Sequence, residues 1–236
     1  MPIEIGQIEA IFRYPVKSMR GEQLDAARLG WDGIDGDRRL AFHRIGDRGG
    51  FPWLTAGRLA DLVLFTPRRA EAGDGLPTHV RTPEGEELPL FGEALAAEIS
   101  RRYGSPVQMM QMNHGIFDDS SVSVITSGTV REIGRLAEQG ADVRRFRPNI
   151  LVRSAREVPF EENDWVGGVL SFGDAQVSVT KRDERCAMIN LDPDSAGSAP
   201  EMMKVVVRAN ENNAGIYGVV TRIGRLEVGQ SVMLHK

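Results

Sequence analysis

Seven residues of this 236-residue chain stand out by type and spacing: Lys17-Ser18, Arg38, Arg147 with Asn149 across Pro148, and Arg185-Cys186. Each falls at the edge of an expected strand, where a barrel would gather its loops. Arg38 and Arg147 each have the fork geometry to grip an anion bidentately, and Lys17 adds a compact charge, a combination that suits a phosphate-bearing cofactor. Cys186 is the sole cysteine, so it acts as a thiol or thiolate and not in an internal disulfide. Lys181, Arg182 and Arg185 favour its thiolate and Asp183 and Glu184 oppose it, so residue types leave the sign of the shift open. Taken singly, a lone cysteine is also read as a small buried hydrophobe, and Lys17, Arg38 and Arg147 as solvated surface charges or structural ion pairs.

Missing motifs remove whole reaction classes. There is no Gly-Lys-Ser/Thr phosphate loop, and Gly30 to Gly36 lacks the spacing of a dinucleotide fingerprint. His43, His79, His114 and His235 are scattered without zinc spacing, and no serine nucleophile elbow occurs. A formal charge of −4, from 29 Lys and Arg against 33 Asp and Glu, offers no basic excess for nucleic acid. No apolar stretch is long enough to span a bilayer, and the start carries no export signal. The expectation is therefore a cytoplasmic protein with neither nucleic-acid nor membrane partners.

The elements that position these residues read as mainly β with minor α, in two barrel-like halves. Ile3 to Tyr14 is a strand bent at Gly6, and Tyr14-Pro15 forces an extended exit. Short strands are expected at Arg28 to Trp31, Arg39 to Arg44, Leu62 to Thr66 and His79 to Arg81, with turns at Gly33 to Gly36 and Gly46 to Gly50. A polar loop runs from Glu71 to Gly75. Helical spacing marks Gly92 to Tyr103 and Thr126 to Gln139, the latter with Ser127 as cap and Gly140 as stop. Further strands are expected at Val122 to Thr126, Asn149 to Arg153, Val169 to Phe172, Gln176 to Lys181, Met203 to Ala209, Gly215 to Thr221 and Ser231 to His235. Trp165 reads as a core anchor, and Met109, Met110 and Met112 as packing under a loop. The boundary between halves is placed in the Met-rich and polar stretch after Val107, giving regions 1–112 and 113–236.

Tyr14-Pro15-Val16-Lys17-Ser18-Met19-Arg20-Gly21-Glu22 and Gly33-Ile34-Asp35-Gly36-Asp37-Arg38 resemble the N-terminal barrel of MOSC proteins, including YcbX-type proteins and the mitochondrial amidoxime-reducing components. Arg145-Phe146-Arg147-Pro148-Asn149, Glu162-Asn163-Asp164-Trp165 and Arg185-Cys186 followed by Leu191-Asp192-Pro193-Asp194 resemble the MOSC domain proper. The order and spacing are similar along nearly the whole chain. The resemblance implies a MOSC β-barrel fold and a molybdenum cofactor, with Cys186 as catalytic residue and thiolate ligand to molybdenum. It also implies that Lys17, Ser18, Arg38, Arg147, Asn149 and Arg185 hold the pterin and its phosphate.

The implied activity is that of an oxidoreductase that reduces small N-hydroxylated compounds, with electrons from a separate flavin or iron–sulfur protein, since no further cysteines are present to hold a cluster. The alternative is a non-catalytic carrier of cofactor or sulfur, or an interaction domain. One departure bears on both: the family's Ser-Arg-Cys run is here Glu184-Arg185-Cys186, which puts a carboxylate two positions before the ligand.

Overall fold

The computed structural model describes residues 1–69, 75–116, 119–140 and 142–236. Most of the polar loop expected from Glu71 to Gly75, and residues 117–118 of the segment after the expected boundary, lie outside the described residues. In the first half the strands are β1 (Ile3–Arg13), β2 (Glu22–Leu24), β3 (Ala26–Gly30), β4 (Gly33–Ile34), β5 (Leu40–Arg44), β6 (Thr66–Arg68), β7 (His79–Arg81) and β8 (Glu87–Pro89). Helix α1 (Glu93–Tyr103) and β9 (Val107–Gln111) follow. The remainder comprises β10 (Val122–Thr126), α2 (Ser127–Leu136), β11 (Ile150–Ser154), β12 (Val169–Phe172), β13 (Ala175–Glu184), α3 (Glu201–Asn210), β14 (Asn213–Arg222), β15 (Gly224–Glu227) and β16 (Ser231–His235).

Seven strands close a barrel in the order β1-β11-β10-β14-β13-β12-β16 and back to β1. β1 pairs antiparallel with both β11 and β16, so a strand from the start of the chain completes a barrel built otherwise from the second half. Gly6 makes this possible: a Cβ there would stand 2.2 Å from the Arg153 carbonyl oxygen. The registers of β1 shift beside it, giving the expected bend.

β10 and β11 are parallel neighbours joined through α2, because parallel strands need a crossover. Both are covered on two faces. Val122, Val124, Ile150 and Val152 point into the barrel, while Ile125 and Leu151 pack outward with Val130 and Ile133 of α2 and Val206 of α3. Complete burial of such side chains contributes roughly 2 kcal/mol each. The first half has its own core, including Val16, Leu40, Leu62, Phe65, Leu95 and Ile99, wrapped by the β5–β9 pair and the β6-β7-β8 sheet. Trp165 is buried in the barrel core, as expected. Met109, on β9 opposite Phe42 of β5, is buried in the core of the first half, whereas Met110 is exposed.

Three local expectations are corrected. Met203 to Ala209 is helical, not a strand: three successive valines mimic a β run, but Met202, Val205 and Val206 form one buried helical face against the barrel. Leu62 to Thr66 is mostly a 3₁₀ turn, Ala60–Leu64, with the strand beginning at Thr66. The cap of α2 is Thr126, whose hydroxyl accepts from Thr129 N at 3.2 Å, one residue earlier than expected.

Candidate functional site

The exit of β1 sets the frame. Lys17 N donates to Leu40 O at 2.7 Å and Leu40 N to Pro15 O at 3.1 Å, fastening the Tyr14-Pro15-Val16-Lys17 segment to the start of β5. Between them lies Asp37, 1% exposed. Its carboxylate accepts from Tyr14 N at 2.7 Å and from Asn149 Nδ2 at 3.0 Å, and it is ion-paired with Arg38. At the neighbouring positions Ser18, Arg38 and Arg147 the backbone is left-handed, with φ of 66°, 49° and 51°. Non-glycine residues pay roughly 1 kcal/mol or more for that geometry, so it persists where the surroundings over-determine it, and such positions cluster at ligand sites.

A cavity of about 400 Å³ opens here. Six of the seven expected residues line it: Lys17, Ser18, Arg38, Arg147, Arg185 and Cys186. Asn149 does not. It is 1% exposed and lies beneath the cavity, where its Oδ1 accepts from Ser123 N at 3.1 Å and its Nδ2 holds Asp37. The strand start at Ile150 turns this side chain inward to satisfy buried polar groups, so its direct role is bracing the Asp37–Arg38 pair.

Cys186 is exposed and is not the small buried hydrophobe its isolation suggested. It follows β13, which runs three residues beyond the expected Lys181 and shifts register twice near its end. Those irregularities re-aim the chain at the cavity. Asp183 consequently faces inward, fully buried, accepting from Ser123 Oγ at 2.8 Å and pairing with Arg185. Glu184 is exposed on the cavity wall, with Oε1 accepting from Asn212 Nδ2 at 3.2 Å.

The cations are anchored rather than loose. Lys17 Nζ donates to Ile116 O at 3.2 Å, Arg38 Nη2 to Arg147 O at 2.9 Å, and Arg147 Nη1 to Met19 O at 2.7 Å. The guanidinium groups of Arg38 and Arg147 lie over the Tyr14 ring at 5.0 and 4.2 Å from its centroid. Burial pushes the Tyr14 phenol up despite those two cations, keeping it protonated. Burial is the largest single influence on the Arg38 guanidinium and works against its charge, but the neighbouring acidic groups, Asp37 foremost, together raise its pKa; around Arg185 the neighbours, Asp183 foremost, do the same. Burial likewise pushes the Asp183 carboxyl up, with Arg185 and Ser123 opposing. Five cationic side chains, Arg145 included, line the cavity against the carboxylates of Asp119, Asp183 and Glu184.

Sequence reasoning missed Tyr14, Asp37, Ser123 and Tyr217 as site residues. The first two sit inside the quoted motifs, where their neighbours drew attention instead; nothing local marks Ser123 or Tyr217. Among the described residues no cluster of three or more His, Cys, Asp or Glu side chains is arranged to hold a metal. His235 is occupied with Ser171 Oγ at 2.7 Å. A metal at this cavity would therefore take one protein thiolate and draw its other ligands from elsewhere.

Fold and cavity together define a closed β-barrel protein with an anion-attracting, thiol-bearing cleft beside the barrel. Residues 111–233 match the MOSC domain family, more than half of the chain, and the chain belongs to that family. Among solved structures it is similar to the YuaD protein from Bacillus subtilis, with 15% identity over 100% of this chain and 99% of that one and a TM-score of 0.55. It is also similar to YiiM from Geobacillus stearothermophilus, with 17% identity, 50% and 56% coverage and a TM-score of 0.41. YiiM from Escherichia coli follows at 14% identity, 50% and 55% coverage and a TM-score of 0.37. The likeness to YuaD establishes the fold over the whole chain. No curated protein matches. No helix among the described residues is long and apolar enough to cross a membrane.

Proposed function

We propose that the cavity binds a molybdenum–pterin cofactor and that the protein is an oxidoreductase reducing N-hydroxylated compounds, as in the amidoxime-reducing proteins its motifs resemble. The observation that carries this reading is an exposed thiol, Cys186, on the wall of a cavity lined by five cationic side chains. The residues present fit such a group: a soft thiolate suits molybdenum alongside sulfur ligands from the pterin, and anchored cations suit a phosphate. A volume of about 400 Å³ lies within the range of small-molecule and cofactor clefts, roughly 300 to 1,000 Å³.

Cys186 would ligate the metal, while Lys17, Ser18, Arg38, Arg147 and Arg185 would hold the pterin and phosphate. The bound group supplies two-electron oxygen-removal chemistry, in which an N–OH compound, two electrons and two protons give the amine or amidine and water. The chain's own part is placement and charge. Tyr14 orients two guanidinium groups, and Asp37 and Asn149 fix Arg38 from below. The left-handed backbone at Ser18, Arg38 and Arg147 presets the cradle before anything binds. Electrons would come from a separate flavin or iron–sulfur protein.

The exposure of Cys186 also favours a second reading, a carrier that hands cofactor or sulfur to another enzyme. Mixing chemically reduced, metal-loaded protein with an N-hydroxylated amidine separates the two. Oxidation of the protein with formation of one amidine per metal supports the reductase, whereas transfer to an acceptor apoprotein without turnover establishes the carrier.

A further inference from the structure

Glu184, the carboxylate that departs from the family's pattern, takes no part in holding the pterin or the metal. It ends β13 opposite Asn213 of β14, and the next residue is pinned by Arg185 N donating to Asn212 O at 2.9 Å. Cys186 continues in extended geometry, with φ −104° and ψ 170°. Side chains alternate along an extended segment, so Asp183 and Arg185 share one side and Glu184 and Cys186 the other. The Asp183–Arg185 ion pair marks the first side. Glu184 and Cys186, both exposed and both lining the cavity, mark the second. Two residues of strand separate carboxylate and thiol, a rise of roughly 7 Å.

The cations nearest Glu184 along the chain are otherwise engaged. Lys181 is paired with Asp119, Arg182 with Glu211 at 3.1 Å and Arg185 with Asp183. Of the three described carboxylates lining the cavity, Asp119 and Asp183 therefore have cationic partners. Glu184 has none among the described residues, and its hydrogen bond comes from the neutral Asn212 amide. Two of the lining cations on other elements are offset as well, Arg38 by Asp37 and Arg145 by Asp192.

An ionised carboxylate accepts up to about four hydrogen bonds and takes a planar N–C–N cation through two parallel ones, as it takes a guanidinium. Phe146, Met188 and Tyr217 on the same walls offer apolar surface to a group carrying such a head.

We propose that Glu184 is the specificity-determining residue of this cavity, holding a planar, positively charged N–C–N head, an amidinium or guanidinium, beside Cys186. Its place in the reaction rests on the reductase reading. An N-hydroxylated amidine is a weak base and its reduced product a strong one. As the N–O bond is lost to two electrons and two protons, giving water, the amidine takes a third proton from solvent, and Glu184 meets the charge that results. A serine at this position would offer hydrogen bonds but no charge.

Benzamidine, a planar cation, and benzamide, its neutral counterpart, are the probes. Each is titrated into the full chain and into Glu184→Gln and followed by ligand-observed NMR, with molybdenum content measured on the same preparations. Benzamidine is expected to bind the natural chain at least fivefold more tightly than benzamide. Glu184→Gln, an exposed change that keeps the shape of the side chain, is expected to weaken benzamidine about fivefold, a modest factor because exposed ion pairs are weak, and to leave benzamide unchanged. Equal affinity for the two probes in the natural chain, or unchanged benzamidine affinity in Glu184→Gln, would overturn the assignment whether or not the protein carries molybdenum. A molybdenum-free chain that still tells the probes apart through Glu184 upholds the recognition and removes only the reductase reading.

Discussion

At the scale of single residues, the cavity is shaped by backbone strain as much as by side-chain type. Ser18 adopts a left-handed conformation that costs a non-glycine residue about 1 kcal/mol. Ser18→Gly is accordingly expected to hold or raise the thermal midpoint, by up to about 1 kcal/mol of stability, while lowering cofactor retention through loss of the hydroxyl. Calorimetry together with pterin analysis checks both halves; a destabilised variant would show that the strain is not relieved by glycine. None of this strain is legible in the sequence, because serine and arginine have no local preference for that region. The types and order of the site residues were legible, since cations and a thiol at strand edges are visible without coordinates. Which side of the backbone each occupies was not, and Asn149 illustrates it: its type suited a ligand contact, but its place beneath Asp37 and Arg38 makes it a brace.

At the scale of elements, α2 is pinned at its start by a buried carboxyl. Glu162, fully buried, accepts from Thr126 Oγ1 at 3.0 Å and Thr129 Oγ1 at 2.9 Å. Burial pushes its pKa up, with those hydroxyls opposing. A raised folded-state pKa means that its stabilising contribution is complete below the ordinary glutamate value of about 4.3 and is lost as pH rises through the folded value. Glu162→Gln, which keeps the shape and removes the titration, should therefore gain stability relative to the natural chain as pH rises. Thermal midpoints taken at about pH 5 and pH 8 read this directly, and parallel slopes for the two proteins would contradict it. Short runs rich in β-branched and apolar residues, such as β7, β10 and β16, were legible to within a residue. α3 was not, because β-branched Val205-Val206-Val207 outweighs the helical spacing of Met202, Val205 and Val206 until the barrel surface is there to receive it. The last turn of β13 was hidden by its charges, since Lys181 to Glu184 reads as a loop unless Ser123 and Arg185 are seen around Asp183.

At the scale of the whole molecule, the barrel is closed by the first strand of the chain. Ile8 and Ile11 share one core with Val124, Val177 and Ile216, so residues far apart in sequence stabilise one another. A fragment of residues 111–236, which holds the family-matched segment but lacks β1, would leave the facing edges of β11 and β16 unpaired. Such a fragment is expected to aggregate or to unfold without a cooperative transition, and to bind no cofactor. A soluble monomer with a sharp melting transition would show the second part to be self-sufficient.

The central claim is that Cys186 is the protein ligand of a molybdenum–pterin group held in the cation-lined cavity. Its most direct test is the molybdenum and pterin content of protein purified without oxygen from a cofactor-producing host, for the natural chain and for Cys186→Ser. The account predicts near one metal per natural chain, with the metal lost from a folded Cys186→Ser variant. Equal metal content in the two, or none in either, would contradict it.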